Sequence, residues 1–88
     1  HMFFCYRYGL DFRHIVGRGY SMGYAYSDDL INWTRDDSQA GISISESGWD
    51  SEMIAYPHIV KIDEKYYMFY CGNEFGREGF GYAELEIL

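Results

Sequence analysis

The chain has 88 residues, which is enough for one small domain and too few for a two-domain enzyme or a long solenoid. Apolar residues make up 48% and aromatic residues 20% of it, a composition that excludes a disordered segment. Fourteen acidic and seven basic residues give a formal net charge of −7. A phosphate backbone or an anionic membrane would be repelled, so we expect neither nucleic acid nor membrane as a partner.

The first half of the chain predicts two full strands and the start of a third. The opening segment MFFCYRY is rich in aromatic residues, which favour strands. Glycines at 17, 19 and 23 bracket an irregular stretch that predicts a loop. In chain order we expect a strand over 2–8, a loop over 9–19, a strand over 20–27, a turn at Asp28-Asp29 and a short strand starting within 30–34.

The second half predicts three further strands and no helix. Residues 38–50 are polar and contain glycine, so they predict at most a weak strand at 42–45. The strands are expected over 55–62, 65–71 and 79–86, with a turn at Asp63-Glu64. Pro57 cannot donate to a strand ladder, so its strand should lie at an edge or an end of the sheet. The chain is therefore predicted to be all-β.

An internal repeat relates the two halves. MFFCY at 2–6 matches MFYCG at 68–72, and MGYA at 22–25 matches FGYA at 80–83. A recurring strand-loop-strand unit in an all-β chain is typical of propeller blades, whose sheets bury both faces. We predict a single partial propeller domain over 1–88, with blade-like copies at 2–34 and 54–88 joined by the loop 35–53.

Three segments carry a resemblance to a known family. GYAYSDDLINW at 23–33, YPHIV at 56–60 and YYMFY at 66–70 resemble the five-bladed β-propeller glycosidases. These comprise the arabinofuranosidase/xylosidase, invertase/levansucrase and mannoside-phosphorylase-like groups. The similarity covers nearly the whole chain but amounts to only the C-terminal one and a half to two blades. It implies antiparallel propeller blades and a carbohydrate-related function.

A partial propeller leaves open strand edges. In the family's pattern an inner strand is missing before Phe3 and an outer strand is missing after Leu85. Unpaired backbone groups at such edges invite strand addition. A domain of this size also buries too little surface to be more than marginally stable. We therefore expect a homo-oligomer formed through the open edges, the alternative being that loops cap them.

The antiparallel order of strands places the loops 9–19, 45–54 and 73–78 on one face. The resemblance implicates this face, because the family's substrate pocket opens where the inner strands begin. Glycoside hydrolysis needs two carboxyl groups that flank the bond, and Glu52 and Asp50 are the catalytic candidates. The family takes its acid and base from different blades, so this chain would hold at most one. The alternative is that both are solvated loop carboxylates or that Asp50 caps a turn.

Ligand-binding candidates share this face or line the channel. Trp49 could stack on a sugar ring, whereas Trp33 is expected to pack between blades while Asp29 closes a turn. His58 would line the channel, with a structural histidine as the alternative. The remaining candidates are Arg13, His14, Asn73, Glu74 and Arg77.

No cofactor or metal site is expected. Cys5 and Cys71 lie at matching positions of the repeat, too far apart for a disulfide, and are predicted to be buried free thiols. Neither the cysteines nor the histidines have zinc-site spacing. The glycines at 17, 19 and 23 precede a strand, so they do not form a dinucleotide loop. Two unpaired cysteines without a signal segment favour a cytoplasmic location.

Two functions remain open at this stage. The first is a fragment of a glycoside hydrolase-like propeller that is carbohydrate-related and not catalytic by itself. The second is a self-associating β-sheet assembly or a glycan-binding module without enzymatic activity.

Overall fold

Six strands form two separate three-stranded antiparallel sheets in the computed structural model, which describes residues 1–10 and 18–85. The first sheet has the spatial order β1 (Met2–Tyr6), β2 (Ser21–Tyr26), β3 (Thr34–Arg35). The second has the order β4 (Ala55–Ile62), β5 (Lys65–Cys71), β6 (Phe80–Leu85). The helices among the described residues are two short 3-10 turns, Asp37–Gln39 and Asn73–Gly76. The all-β prediction is confirmed.

The predicted strands differ from the observed ones chiefly around β3. The predicted short strand begins at Thr34, the last of the positions 30–34, and Leu30, Ile31 and Asn32 belong instead to a turn built around Asp29. The Asp29 carboxylate accepts the N–H groups of Ile31 and Asn32, so these donors cannot join a ladder. No strand forms at 42–45 either.

The two sheets pair corresponding residues in the same register. In the first sheet Phe3 lies opposite Tyr24 and Phe4 opposite Gly23. In the second, Phe69 lies opposite Tyr82 and Tyr70 opposite Gly81. Both Phe–Tyr pairs bring their rings together, at centroid distances of 5.2 and 5.7 Å.

The core lies between the two sheets. Met22 and Tyr24 of β2 meet Met68 of β5, and the connecting segment adds Ala40 and Ile54. Ile54 is fully buried, which stabilises the fold by roughly 1.5–3 kcal/mol relative to an exposed side chain. Its backbone N–H also donates to the carbonyl of Tyr20 at 3.0 Å, so the approach to β4 is tied to the start of β2.

Local sequence accounts for the shape of the β4–β5 hairpin. Ile62 pairs with Lys65, leaving Asp63 and Glu64 as a two-residue turn with φ of 49° and 69°. Positive φ at both positions is the geometry that matches the twist of the strands. Pro57 falls in the register break between Ala55 and His58 on the edge strand β4, where no ladder donor is needed.

Both cysteines are free thiols, as predicted. Cys5 and Cys71 are half-buried, so the expectation that they are fully buried is wrong. Cys5 lies on the outer strand β1 opposite Met22, whereas Cys71 ends the central strand β5 opposite Phe80.

Candidate functional site

Asn73 joins two of the three loops that the sequence placed on one face. It is 4% exposed, and its backbone N–H donates to the carbonyl of Trp49 at 2.6 Å. Its side-chain oxygen accepts the backbone N–H groups of Glu52 and Met53 at 2.7 and 3.2 Å. Its side-chain nitrogen lies within hydrogen-bond distance of Gly48 O at 3.0 Å, Ser51 Oγ at 3.2 Å and Glu78 Oε2 at 3.3 Å. The segments 48–53 and 73–78 are thus held together by one amide group.

Trp49 packs across the second sheet beside this hub. Its indole stacks on Tyr70 with ring centroids 5.4 Å apart and an interplanar angle of 23°. It also occupies the space that a Cβ atom would need at Gly72 and at Gly81. Two glycines therefore provide the surface on which the half-buried indole lies.

The two candidate carboxylates have different surroundings. Asp50 is 8% exposed, whereas Glu52 is exposed. Burial, and then the negative charge of Asp50, raise the pKa of the Tyr70 hydroxyl above its usual value. Glu52 is held at its backbone N–H, which donates to the side-chain oxygen of Asn73 at 2.7 Å.

The other predicted ligand-binding residues are spread over the molecule. His58 is exposed on β4 and lies opposite Phe69, so the two side chains share a face of the second sheet. Glu74 and Arg77 form an exposed ion pair at 3.2 Å, a type that contributes little to stability. Arg13 and His14 lie outside the described residues.

An aromatic cluster that the sequence did not reveal lies at the same end of the molecule. The ring of Tyr20 is 5.9 Å from that of Tyr56 and 5.9 Å from that of Phe75. Tyr56 and Phe75 are 50% and 37% exposed and adopt φ of 60° and 58°. Left-handed backbone is unusual for aromatic residues and carries no local sequence signal. Tyr20, which follows the predicted loop 9–19, thus contacts Phe75 of the loop 73–78 and Tyr56 of β4.

Within residues 1–10 and 18–85, no group of three or more His, Cys, Asp or Glu side chains is arranged to hold a metal ion. None of the helical segments in this described part has the length and hydropathy that a membrane crossing requires.

Comparison with known proteins gives matches over part of the chain. No protein-family model and no solved structure matches the chain. Two uncharacterized proteins of Mycobacterium tuberculosis, from strains CDC 1551 / Oshkosh and H37Rv, are each 39% identical over 70 residues, covering 80% of this chain and 23% of their own. A β-1,2-mannobiose phosphorylase of Thermoanaerobacter sp. (strain X514) is 45% identical over 53 residues, covering 59% of this chain and 17% of its own. The chain thus spans less than a quarter of the length of these relatives. The match to the phosphorylase relates it to a carbohydrate-active enzyme.

Proposed function

We propose that this chain is part of a glycoside-hydrolase-like β-propeller that binds carbohydrate and does not turn it over by itself. The observation that carries the proposal is the 45% identity over 53 residues with a protein named for phosphorolysis of β-1,2-mannobiose. The two three-stranded sheets would be consecutive, incomplete blades, within 2–34 and 54–88.

The sugar would bind on the face formed by the loops around Asn73. Sugar sites combine apolar ring surfaces with a few polar groups that fix orientation. Tyr56 and Phe75 provide exposed rings, and Glu52 provides an exposed carboxylate on a segment that Asn73 holds in place. Trp49 would contribute the part of its indole that the second sheet leaves uncovered.

The absence of turnover follows from the chemistry of glycoside cleavage. Two carboxyl groups must flank the scissile bond, about 5 to 9.5 Å apart, with one acting as acid. Asp50 is nearly buried against the second sheet and Glu52 faces solvent, so they do not form an open pair on one pocket. Glu52 is the carboxylate that a ligand could reach.

Calorimetric titration of the chain with β-1,2-mannobiose, with and without inorganic phosphate, tests this proposal. We expect saturable binding and no release of monosaccharide or sugar phosphate. Glu52→Gln should weaken binding about tenfold, the loss typical of a hydrogen bond to a charged group. Glu46→Gln, a matched change at an exposed carboxylate of the preceding segment, should leave binding unchanged.

Each other outcome contradicts a definite part of the proposal. Product formation that Glu52→Gln abolishes would overturn the non-catalytic part. Absence of binding to β-1,2-mannobiose and to a panel of other disaccharides would overturn the carbohydrate part. Equal weakening by Glu46→Gln would show that general charge, rather than Glu52, governs binding.

Self-association through strand edges is the second candidate function. In the order β4-β5-β6, strand β6 has a ladder partner on one side only among the described residues, and β1 is likewise an outer strand of its sheet. Such edges can add a strand from another copy. Amide hydrogen exchange at several protein concentrations tests this, because an added strand would protect alternate amides of 80–85 as concentration rises. Unchanged exchange at these amides would overturn it.

A further inference from the structure

The second sheet has one face in the core and one face open to solvent. Met68 and Tyr70 of β5 and Leu85 of β6 belong to the core side. The alternate residues form the other face, on which Lys65 and Glu84 make an ion pair at 3.7 Å and which also carries Ile62 and Cys71. We call its remaining residues the open face of the second sheet: Tyr67, Phe69, Phe80 and Tyr82, with His58 and Val60 of β4.

The open face is aromatic and continuous. Tyr82 lies 5.7 Å from Phe69 and 5.8 Å from Tyr67, measured between ring centroids. Phe80 is 73% exposed and Tyr82 is 62% exposed. A contiguous set of exposed rings of this kind marks an interaction surface more often than a solvated one.

A face with the same residue pattern already packs against the second sheet within the chain. The first sheet uses Phe3 and Tyr24, paired opposite each other, to cover the core side of the second sheet. Phe69 and Tyr82 are paired in the same way and occupy the matching positions of the sequence repeat. The open face therefore has the chemistry of a surface that already packs against a sheet inside the molecule.

The complementary surface is also present in the chain. The core side of the second sheet pairs Met68 with Ala83 and Tyr70 with Gly81. The first sheet repeats this pattern on its outer face, where Met2 pairs with Ala25 and Phe4 with Gly23. We call these four residues the outer face of the first sheet. Met2 is 39% exposed there and Phe4 is half-buried, whereas Gly23 and Ala25 are already covered within the chain.

A planar side chain from a neighbouring segment lies on an aromatic ring of each surface, both on the core side of the second sheet and on the outer face of the first sheet. Trp49 stacks on Tyr70 at the core side of the second sheet. On the outer face of the first sheet, the guanidinium of Arg35 lies 4.9 Å from the ring centre of Phe4 and 5.0 Å from that of Tyr6. Arg35 is held by Asp37 at 2.8 Å, with its side chain 57% exposed. In this position the guanidinium can make cation–π contacts with aromatic rings of a second sheet that packs against it.

We propose that the open face of the second sheet binds the outer face of the first sheet of a second copy of this chain. The contact repeats, between molecules, the sheet-on-sheet packing that the chain makes within itself. It is a head-to-tail contact, so association continues into a ring or an open chain rather than stopping at a symmetric dimer. The proposal depends on packing alone and is independent of carbohydrate binding.

Light scattering on a sizing column, over a dilution series, tests the contact with three variants whose folding is checked by circular dichroism. The first, Phe80→Lys with Tyr82→Lys, blocks the open face. The second, Met2→Lys, places a charge on the outer face. The control, Leu30→Lys with Ile31→Lys, changes side chains that are 77% and 81% exposed and belong to neither face.

We expect the unmodified chain and the control to associate reversibly, with masses at multiples of one chain. The first variant should raise the dissociation constant at least about thirtyfold, the effect of losing one hot-spot residue. Met2→Lys should weaken association in the same direction. A mixture of the two variants should form a one-to-one pair, because it retains one intact open face and one intact outer face.

Three results would overturn the proposal. A folded, unmodified chain that stays monomeric at all concentrations would show that the open face binds no second copy. Association that survives Phe80→Lys with Tyr82→Lys would assign it to another surface, such as the strand edges. A Met2→Lys variant that associates fully, combined with a mixture that forms no pair, would indicate a symmetric contact between two open faces.

Discussion

The indole of Trp49 lies so close to Gly81 that a Cβ atom at this glycine would stand 2.6 Å from both Cη2 and Cζ2 of the ring. Atoms Cε3 and Cζ3, on the other edge of the same six-membered ring, occupy the Cβ position of Gly72 in the same way, and the face of the indole is stacked on Tyr70. The ring cannot withdraw from Gly81 without losing one of these contacts. Trp49 therefore locks the loop that carries Asp50 and Glu52 onto the second sheet.

Replacing Gly81 by alanine should destabilise the protein. The added methyl group would overlap with the Trp49 ring, and overpacking at a tight site costs about 1–3 kcal/mol. We expect the midpoint of urea-induced unfolding, followed by tryptophan fluorescence, to fall accordingly. The fluorescence of the folded state should also change, because the indole must move.

Gly9→Ala provides the matched control. Apart from its two chain neighbours, no residue within 1–10 and 18–85 has a heavy atom within 4 Å of a Cβ built at Gly9, so the added methyl group meets no described side chain. Its free energy of unfolding should stay within about 0.5 kcal/mol of that of the parent chain. Equal effects of the two substitutions would show that the contact with Trp49 is not the cause.

Asn73→Asp should loosen the loop face without changing the shape of the side chain. The remaining oxygen can still accept from Glu52 and Met53, but the lost NH₂ group faces Gly48 O and Glu78 Oε2. An oxygen in its place faces these two acceptor oxygens without a hydrogen to share. The lost hydrogen bonds should lower the free energy of unfolding by about 1–3 kcal/mol, as is typical for buried groups. Thermal unfolding measures the loss, and hydrogen exchange should show it concentrated in residues 48–53.

Asn32→Asp is the corresponding control at an exposed position, where the Asn32 amide donates to Asp29 Oδ2 at 2.8 Å. Solvent screens the new charge, so this change should cost less than the one at position 73. If the two variants unfold at the same temperature, burial of Asn73 is not what makes it important.

The strands that the sequence predicted best are those with the clearest local signals. β4 and β5 were predicted with their observed bounds, because two apolar runs flank a turn at Asp63 and Glu64. The region after β2 was predicted less well. Leu30 and Ile31 have apolar side chains typical of strands, but the Asp29 carboxylate takes the backbone donor of Ile31. Side-chain capture of backbone groups outweighs strand propensity in this turn.

The candidate site was predictable in its loops but not in its contacts. The antiparallel order brought the segments of Trp49 and Asn73 together, and the structure places them in hydrogen-bond contact. The contact between the Trp49 indole and Gly81 depends on the path that a loop takes across the sheet. The sequence has no periodic pattern that predicts such a path. The left-handed backbone of Tyr56 is imposed by the register break in β4 rather than by its own residue type.

Glu64→Gly should stabilise the β4–β5 hairpin. Glu64 adopts φ of 69°, a left-handed conformation that costs an L-residue about 1–2 kcal/mol and costs glycine almost nothing. We expect a gain of about 1 kcal/mol after allowing for the greater freedom of glycine in the unfolded chain. Urea unfolding measures this gain.

Glu64→Ala separates backbone strain from the ion pair that Glu64 makes with Lys61 at 3.8 Å. The Glu64 side chain is 93% exposed, so loss of the pair alone should have almost no effect. Stabilisation by alanine as large as that by glycine would contradict the role of positive φ.

Asp29→Asn should remove a part of the protein's stability that depends on pH. Hydrogen bonds from the backbone of Asn32 and Ile31, and from the side chains of Asn32 and Ser27, hold the pKa of Asp29 far below its usual range. Because the folded-state pKa is lowered, the stabilisation is complete above the unfolded pKa of about 3.9 and is lost as pH falls toward the folded value. Unfolding midpoints of the parent and variant should therefore differ most above about pH 5, and the difference should shrink steadily as pH falls from about 3.9 toward the much lower folded-state pKa. Asp28→Asn, at the adjacent exposed carboxylate, tests whether general charge produces the same pattern. A difference between parent and Asp29→Asn that stays constant from acid to neutral pH would contradict the assignment to ionised Asp29.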